Sequence, residues 1–188
     1  GGIDGITKMT ALSEKLNFNL QSMEASANVF RNDIQTAIES SAKLQALGGG
    51  AAMYGSNPLA MMYESMYDME SYTERITKMV KGMAEFNAAT GIAEIKSQNQ
   101  AFLREYSKIL NISYDELASM ATNQAKEAFS KNRLGAAFFD NVAGGDEDFK
   151  SYIMNKAQWN DQRQTFELTL PGKEDNPIDL QKMTLKQA

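Results

Sequence analysis

The chain has 188 residues, a net charge of −5 from 19 basic and 24 acidic residues, and neither cysteine nor histidine. These counts exclude disulfides, thiol nucleophiles, catalytic triads that use histidine, and zinc sites built from Cys and His. The acidic balance also argues against a nucleic-acid backbone as partner, because that affinity comes from clustered Lys and Arg. Proline does not interrupt residues 1–57 or 59–170, so long helices are permitted.

The first segment, residues 1–50, carries a heptad repeat. Apolar or small residues alternate three and four positions apart from Ile6 to Leu44, which predicts one long coiled-coil helix ending at the glycines of 48–50. An amphipathic helix on a globular core is the alternative, since Leu12 and Ile38 widen the apolar stripe. We expect a parallel homo-oligomer, preferably a trimer, whose seam consists of Ile6, Met9, Leu16, Leu20, Met23, Ala27, Phe30, Ile34, Ala37 and Leu44.

Residues 51–91 are predicted to form a linker and then a methionine-rich helix. Asn57-Pro58 is typical of an N-cap followed by proline in the first turn, and Gly91 suits the end of the helix. Methionine side chains fit a core seam or an adaptable contact surface, including one that meets a membrane only at a later stage. The second seam has the same spacing as the first and comprises Leu59, Met62, Met66, Met69, Ile76, Val80 and Met83.

Residues 92–135 predict a helical hairpin that turns near Asn111. The sequence from Ser113 to Glu116 matches a capping box, with Ile112 and Leu117 at the positions of a hydrophobic staple. The same arrangement is typical of a DNA-binding helix-turn-helix module, and such a module with a dimerising arm is our alternative function. Asp115 and Glu116 begin its second helix, where contacts to bases and phosphates require donors. We therefore favour a structural hairpin without a specific nucleic-acid partner.

Residues 136–188 predict an acidic loop, a short helix from about 147 to 158, and a small β arm. The loop acids lack the ligand spacing of a calcium-binding EF-hand, and Asp146 suits the N-cap of the helix. Alternating residues from Thr165 to Leu170, a turn at Pro171-Gly172 and the segment 178–180 predict a small two-stranded hairpin or an extended arm. The acids of the loop are Asp140, Asp146, Glu147 and Asp148.

Together these elements predict an all-α, elongated fold of heptad-bearing coiled-coil helices with a helical hairpin and a C-terminal β arm. Motifs for nucleotide binding and for a nucleophilic serine are missing from the sequence. We therefore expect a protein that is not an enzyme and that binds neither cofactor nor metal. The chain begins at Gly1 and stops at Ala188 within a helical pattern, so we expect a piece of a longer protein.

The run from Phe102 to Ala121, FLREYSKILNISYDELASMA, resembles a recurring element of phage tail tape measure proteins. In that family a short helix, a Leu-x-Ile/Val-Ser turn and a Glu-Leu-x-x-Met helix recur between long coiled segments. The alternating strand, Gly/Asp turn and segment 179–187 are also similar, so the resemblance covers residues 92–188 and extends to 1–91 in style.

The resemblance implies a structural virion protein that fills the lumen of the phage tail tube after assembly in the host cytoplasm. Members are bundled in several copies, anchored at the tail-tip or baseplate hub, surrounded by tube proteins, and released ahead of the DNA during genome ejection. No catalytic residues come with the resemblance. A coiled-coil scaffold or adaptor unrelated to tails is a third hypothesis.

Overall fold

Three short helices occupy the heptad segment. The computed structural model describes residues 3–134, 153, 156–160, 162–163, 165–169 and 177–180. Helices α1 (Ile3–Leu16), α2 (Leu20–Arg31) and α3 (Ile34–Leu47) stand where the heptads predict one helix. The predicted continuous helix over residues 6–47 is therefore wrong. The broader expectation is confirmed, because helices contain 70% of the described residues and the remaining regular structure is small antiparallel sheet.

The first break, between α1 and α2, is made by local backbone chemistry. Asn17 adopts the left-handed conformation with φ 52°, which Asn tolerates better than most residues. The N–H of Phe18 then donates to the carbonyl of Ser13 at 3.1 Å, which satisfies a carbonyl of the last turn. Phe18 is buried, and the side chain of Asn19 caps α2 by accepting from the N–H of Gln21 at 2.8 Å.

The second break, between α2 and α3, is an N-cap. Oδ2 of Asp33 accepts hydrogen bonds from the backbone N–H and the hydroxyl of Thr36, both at 2.8 Å. Oδ1 of Asp33 accepts from the N–H of Gln35 at 3.3 Å. These bonds, with the Thr36 hydroxyl foremost, lower the pKa of Asp33. A charged cap of this kind favours a helix that begins at Ile34 over one that passes through.

Helix α3 ends at Gly48, as the glycine run predicts, but the chain does not become a linker there. Gly48 has φ 77°, and helix α4 (Gly49–Gly55) begins at the next residue. Gly50 lies against α6 (Met69–Val80) so closely that a Cβ would collide with the carbonyl oxygen of Met79. Glycine is required at this position because backbone approaches backbone.

The predicted methionine-rich helix is two helices and part of a hairpin. Helix α5 (Pro58–Tyr67) begins as predicted at Asn57, and α6 begins after Asp68, whose side chain accepts from the N–H of Ser71 at 3.0 Å. Strands β1 (Ala84–Asn87) and β2 (Ile92–Ile95) pair beyond α6. Gly91, with φ 70°, lies in their turn and donates its N–H to Asn87 at 2.8 Å. Gly91 is therefore a hairpin residue, and its prediction as a helix end is wrong.

Two helices joined by a short turn occupy most of the segment 92–135 that was predicted as a helical hairpin, but residues 92–95 form strand β2. A short 3₁₀ turn at Ser97–Asn99 leads into α7 (Gln100–Leu110), and α8 (Tyr114–Leu134) follows the turn. Asn111 is left-handed with φ 52°, and Ile112 is buried after it. The N-cap bond is present, because the N–H of Glu116 donates to Oγ of Ser113 at 3.2 Å.

The chain divides into two compact units. Unit 1 comprises Gly1–Glu85 and Ile95–Gln124, and unit 2 comprises Phe86–Glu94 and Ala125–Ala188. The core of unit 1 contains the fully buried Phe30 and Tyr72, whose ring centroids are 6.1 Å apart. Within this core the hydroxyls of Ser26 and Tyr72 are hydrogen-bonded at 2.7 Å, and the Tyr106 hydroxyl accepts from the N–H of Ala51.

Unit 2 contains a three-stranded antiparallel sheet. Its strands are β3 (Gln158–Asn160), β4 (Thr165–Leu168) and β5 (Ile178–Asp179), in the order β3-β4-β5. The predicted hairpin between the segments at 165–170 and 178–180 is confirmed by the pairing of β4 with β5. The predicted helix end at about 158 is wrong, because Gln158 begins β3. The acidic loop of Asp140 to Asp148 lies outside the described residues.

An aromatic cluster holds unit 2 together. Phe166 is fully buried, and the rings of Phe86, Phe129 and Trp159 pack around it at centroid distances of 4.9 to 6.1 Å. The indole N–H of Trp159 donates to the carbonyl of Ala88 at 2.8 Å, and Gly91 lies directly against the indole ring. Apart from the pair of Trp159 and Phe166 on neighbouring strands, these contacts join residues distant in sequence, which explains why no local pattern predicted them.

Candidate interaction surface

The first predicted seam lies mostly in the core of unit 1. Six of its members are buried, so their apolar surface is already covered by the same chain: Leu16, Met23, Ala27, Phe30, Ala37 and Leu44. Leu20 and Ile34 remain exposed, and Met9 is half-buried. Ile6 lies in α1, but its side chain is outside the described part of the chain. The alternative interpretation, helices on a globular core, fits these six residues.

The second predicted seam divides at the boundary between α5 and α6. Ile76 and Val80 of α6 and Met83 beyond it are buried, and Met69 is half-buried. The members on α5 are less buried, since Leu59 and Met66 are exposed and Met62 is half-buried. One heptad pattern therefore supplies a core contact in α6 and an outward face in α5.

Helix α5 is fixed to unit 1 by the side opposite its predicted seam. Met61 and Ser65, four residues apart, are both buried. The side chain of Asn57 accepts from the N–H of Ala60 at 3.1 Å, and Pro58 occupies the first turn. Because the ends and the inner side of the helix are held in this way, the orientation of its outer side is determined.

An arginine clamp fixes the middle of α5. Both Glu64 carboxylate oxygens accept from the Arg75 guanidinium, one of them from Nε at 2.6 Å. Nη1 of Arg75 also donates to the carbonyl of Tyr54 at 2.9 Å, so one side chain links α4, α5 and α6. The hydrogen bonds to Glu64 raise the pKa of Arg75. The planar guanidinium suits this two-pronged contact better than an ammonium group would.

The outer side of α5 is apolar and uncharged, and we call it the α5 face. It consists of Leu59, Tyr63, Met66 and Tyr67, which are 68%, 62%, 39% and 73% exposed, with the half-buried Met62 beside them. Their spacing of four, seven and eight residues places them on one side of a helix. The rings of Tyr63 and Tyr67 contact each other, with centroids 5.3 Å apart. A cluster of exposed large apolar residues of this kind is typical of a binding surface.

The α7–α8 hairpin directs its polar side chains to the α1–α2 corner. Oε1 of Glu116 accepts from the N–H of Asn19 at 3.1 Å, and the side-chain amide of Asn123 donates to the carbonyl of Leu16 at 3.1 Å. Ser119 accepts from the amide of Asn17 at 3.1 Å. Side chains on three successive turns of α8 thus form hydrogen bonds with backbone and side-chain groups where α1 ends. A helix engaged in this way has a structural role in unit 1.

Unit 1 also contains an open cleft of about 230 Å³. Its lining is mainly glycine backbone and apolar side chains, including Gly49, Gly82, Met83 and Phe102, and Lys81 is the charged residue among them. Within the residues that the structure describes, no cluster of three or more acidic side chains could hold a metal ion. Neither is any helix among them long and apolar enough to cross a membrane.

Comparison of the chain with protein-family models, curated proteins and solved structures finds no match. The features that bear on function are therefore the α5 face, the most apolar exposed helix surface described above, and the resemblance in the sequence.

Proposed function

We propose that this chain is a structural virion protein of the tape measure type that its sequence resembles, and that it acts by packing against other protein chains of the phage tail. The observation that supports this proposal most directly is the α5 face. Four large side chains are exposed there without a charge among them, although 23% of the whole chain is charged. Leaving this much apolar surface in water is unfavourable, and covering it with another protein recovers the free energy.

In this proposal the heptad residues have two roles. Those in the core, such as Phe30 and Ile76, hold the helices of unit 1 together. Those that remain exposed, such as Leu20, Leu59 and Met66, make the coiled-coil contacts between chains. A trimer through the entire first seam would require the buried members to leave the core, so contact through the exposed members costs less. The tail-tip hub and the tube proteins are the further partners.

The α7–α8 hairpin is a structural corner in this proposal and not a DNA-reading module. Glu116 and Asn123 are already hydrogen-bonded to the α1–α2 corner, and Asp115 is an exposed acid at the front of α8. A DNA-reading helix needs donors that are free to reach phosphates and base edges. We therefore expect no sequence-specific DNA binding, which a fluorescence anisotropy titration at physiological salt would check.

The assignment to a phage tail is tested by locating the chain in virions. Particles of the phage or prophage that encodes it are separated into heads and tails, and each fraction is digested for quantitative mass spectrometry. We expect peptides from residues 3–134 in the tail fraction, at a few copies per tail and far below the number of tube subunits. Absence from intact virions, or equal recovery with heads, would refute the proposal.

A further inference from the structure

We infer that the α5 face binds the α5 face of a second copy of this chain, with the two helices antiparallel about a two-fold axis at Tyr63. This inference deepens the proposed function, since it names the partner of the surface on which that function rests. Three properties of the face support it: its self-complementary spacing, its area and its lack of charge.

The spacing is self-complementary about Tyr63. In an antiparallel pair with this centre, Tyr63 meets its own equivalent, and Leu59 of one copy meets Tyr67 of the other. The three most exposed side chains of the face therefore meet one another across the two-fold axis. Two-fold interfaces require this matching of a surface with itself.

The area suits a reversible dimer. The exposed fractions of Leu59, Tyr63, Met66 and Tyr67, with Met62, correspond to roughly 500 Å² per copy when a large side chain presents about 200 Å². Two copies would bury about 1,000 Å², which lies in the range of weak, transient protein interfaces. We therefore expect a dissociation constant in the micromolar range and not an obligate dimer.

The charge distribution favours a second copy over a lipid surface or a charged partner. Helix α5 contains no Lys or Arg, which amphipathic helices use at their edges to bind anionic lipids. Its single charge, Glu64, is bound by Arg75. The chain is acidic overall, with a net charge of −5, so two copies repel each other. This repulsion is smallest when they meet at an uncharged surface such as the α5 face.

The first experiment measures self-association of the 188-residue chain by sedimentation velocity from 1 to 200 µM. We expect a monomer–dimer equilibrium, and Leu59→Glu and Tyr67→Glu should each raise the dissociation constant at least tenfold. Both residues are exposed, so these variants keep the fold, which circular dichroism verifies. Ile92→Glu, an exposed apolar residue on β2, is the matched control and should leave the constant within about twofold. A wild-type chain that stays monomeric throughout would refute the inference.

The second experiment tests the relative orientation of the two α5 helices with single introduced cysteines. The chain has no cysteine of its own, so each disulfide can be assigned to the introduced position. Tyr63→Cys should form a disulfide dimer under mild oxidation, since the two-fold axis brings equivalent positions within disulfide range. Leu59→Cys and Tyr67→Cys should cross-link only when mixed, and neither should cross-link with itself. Self-cross-linking at all three positions would indicate parallel helices, and cross-linking at none would indicate another surface. Either result would overturn the inference.

The two proposals fail in different ways. A chain that is found in tails but stays monomeric in solution would keep the proposed function and remove the self-pairing of α5. A chain that dimerises through Tyr63 but is absent from virions would keep the pairing and remove the tail assignment.

Discussion

The buried hydrogen bond between Ser26 and Tyr72 offers a quantitative test of how unit 1 is stabilised. Both residues are fully buried, and their hydroxyls are 2.7 Å apart. Burial raises the pKa of Tyr72, so its hydroxyl stays neutral across the ordinary pH range. Tyr72→Phe leaves the Ser26 hydroxyl buried without a partner, and Ser26→Ala does the same to the Tyr72 hydroxyl.

Each single substitution should lower the free energy of unfolding by about 2 kcal/mol, because an unsatisfied buried hydroxyl costs about 1–3 kcal/mol. The double variant removes both hydroxyls, so it loses only the net value of the hydrogen bond, about 1 kcal/mol. The coupling between the two positions is therefore about 3 kcal/mol, larger than the cost of either substitution alone. This inversion, with the double variant more stable than both single variants, is the expected result.

Urea unfolding followed by circular dichroism measures these values, since the helices of unit 1 dominate that signal. Trp159, the single tryptophan, belongs to unit 2 and provides a separate fluorescence probe. Ser41→Ala is the matched control, because Ser41 is equally buried but its hydroxyl has no hydrogen-bond partner. Removing that hydroxyl should be neutral or stabilising by about 1 kcal/mol. Equal losses at Ser26 and Ser41, or a double variant less stable than both singles, would refute the reasoning.

Four further predictions concern the clamp, the turns and the caps. Arg75→Lys should lower the free energy of unfolding by about 1–2 kcal/mol, because an ammonium group cannot make the two-pronged contact; a loss below 0.5 kcal/mol in chemical denaturation would contradict this. Asn111→Gly should be neutral or stabilising and Asn111→Ala destabilising by about 1 kcal/mol, since φ is positive there; equal melting temperatures would count against the left-handed turn. Gly50→Ala should cost at least 2 kcal/mol through the collision with Met79, and a thermal melt unchanged from wild type would exclude that close approach. The hydrogen bonds that lower the pKa of Asp33 below its ordinary value of 3.8 stabilise the folded chain above that pH, and this stabilisation is lost as the pH falls through the folded-state pKa. The free energy of unfolding of the wild type should therefore fall relative to that of Asp33→Asn between pH 5 and 2. Acid titrations in which the difference between the two chains stays constant would disprove this.

Local chemistry could be read directly from the sequence. The N-caps at Asn57 and Ser113, the end of α3 at Gly48 and the antiparallel pairing of β4 with β5 were all predictable, because each depends on a few neighbouring residues. The turn between β1 and β2 also has a sequence pattern typical of a hairpin, although the apolar spacing favours a helix there. Gly91 follows a run of small and polar residues between two alternating segments, which is typical of a turn.

The break at Asn17 was also present in the sequence, where the heptad pattern concealed it. Leu-Asn-Phe-Asn at residues 16–19 has the same form as Leu-Asn-Ile-Ser at residues 110–113: a left-handed Asn, a buried apolar residue and an N-cap. The second copy is recognisable as a turn because its last residue opens a capping box. The first has no capping box, and the apolar spacing continues through it, so periodicity alone favoured a continuous helix.

The sequence by itself determined where most of the helical segments lie and which residues alternate as apolar along them, because periodicity, caps and turn residues act over a few positions. It did not determine what covers each apolar side. Leu59 and Ile76 belong to one pattern, yet Leu59 is 68% exposed and Ile76 is fully buried. That difference depends on contacts between residues far apart in sequence, such as Arg75 with Tyr54 and Glu116 with Asn19. Only the tertiary structure decided it, because those contacts orient each helix and leave one side of α5 uncovered.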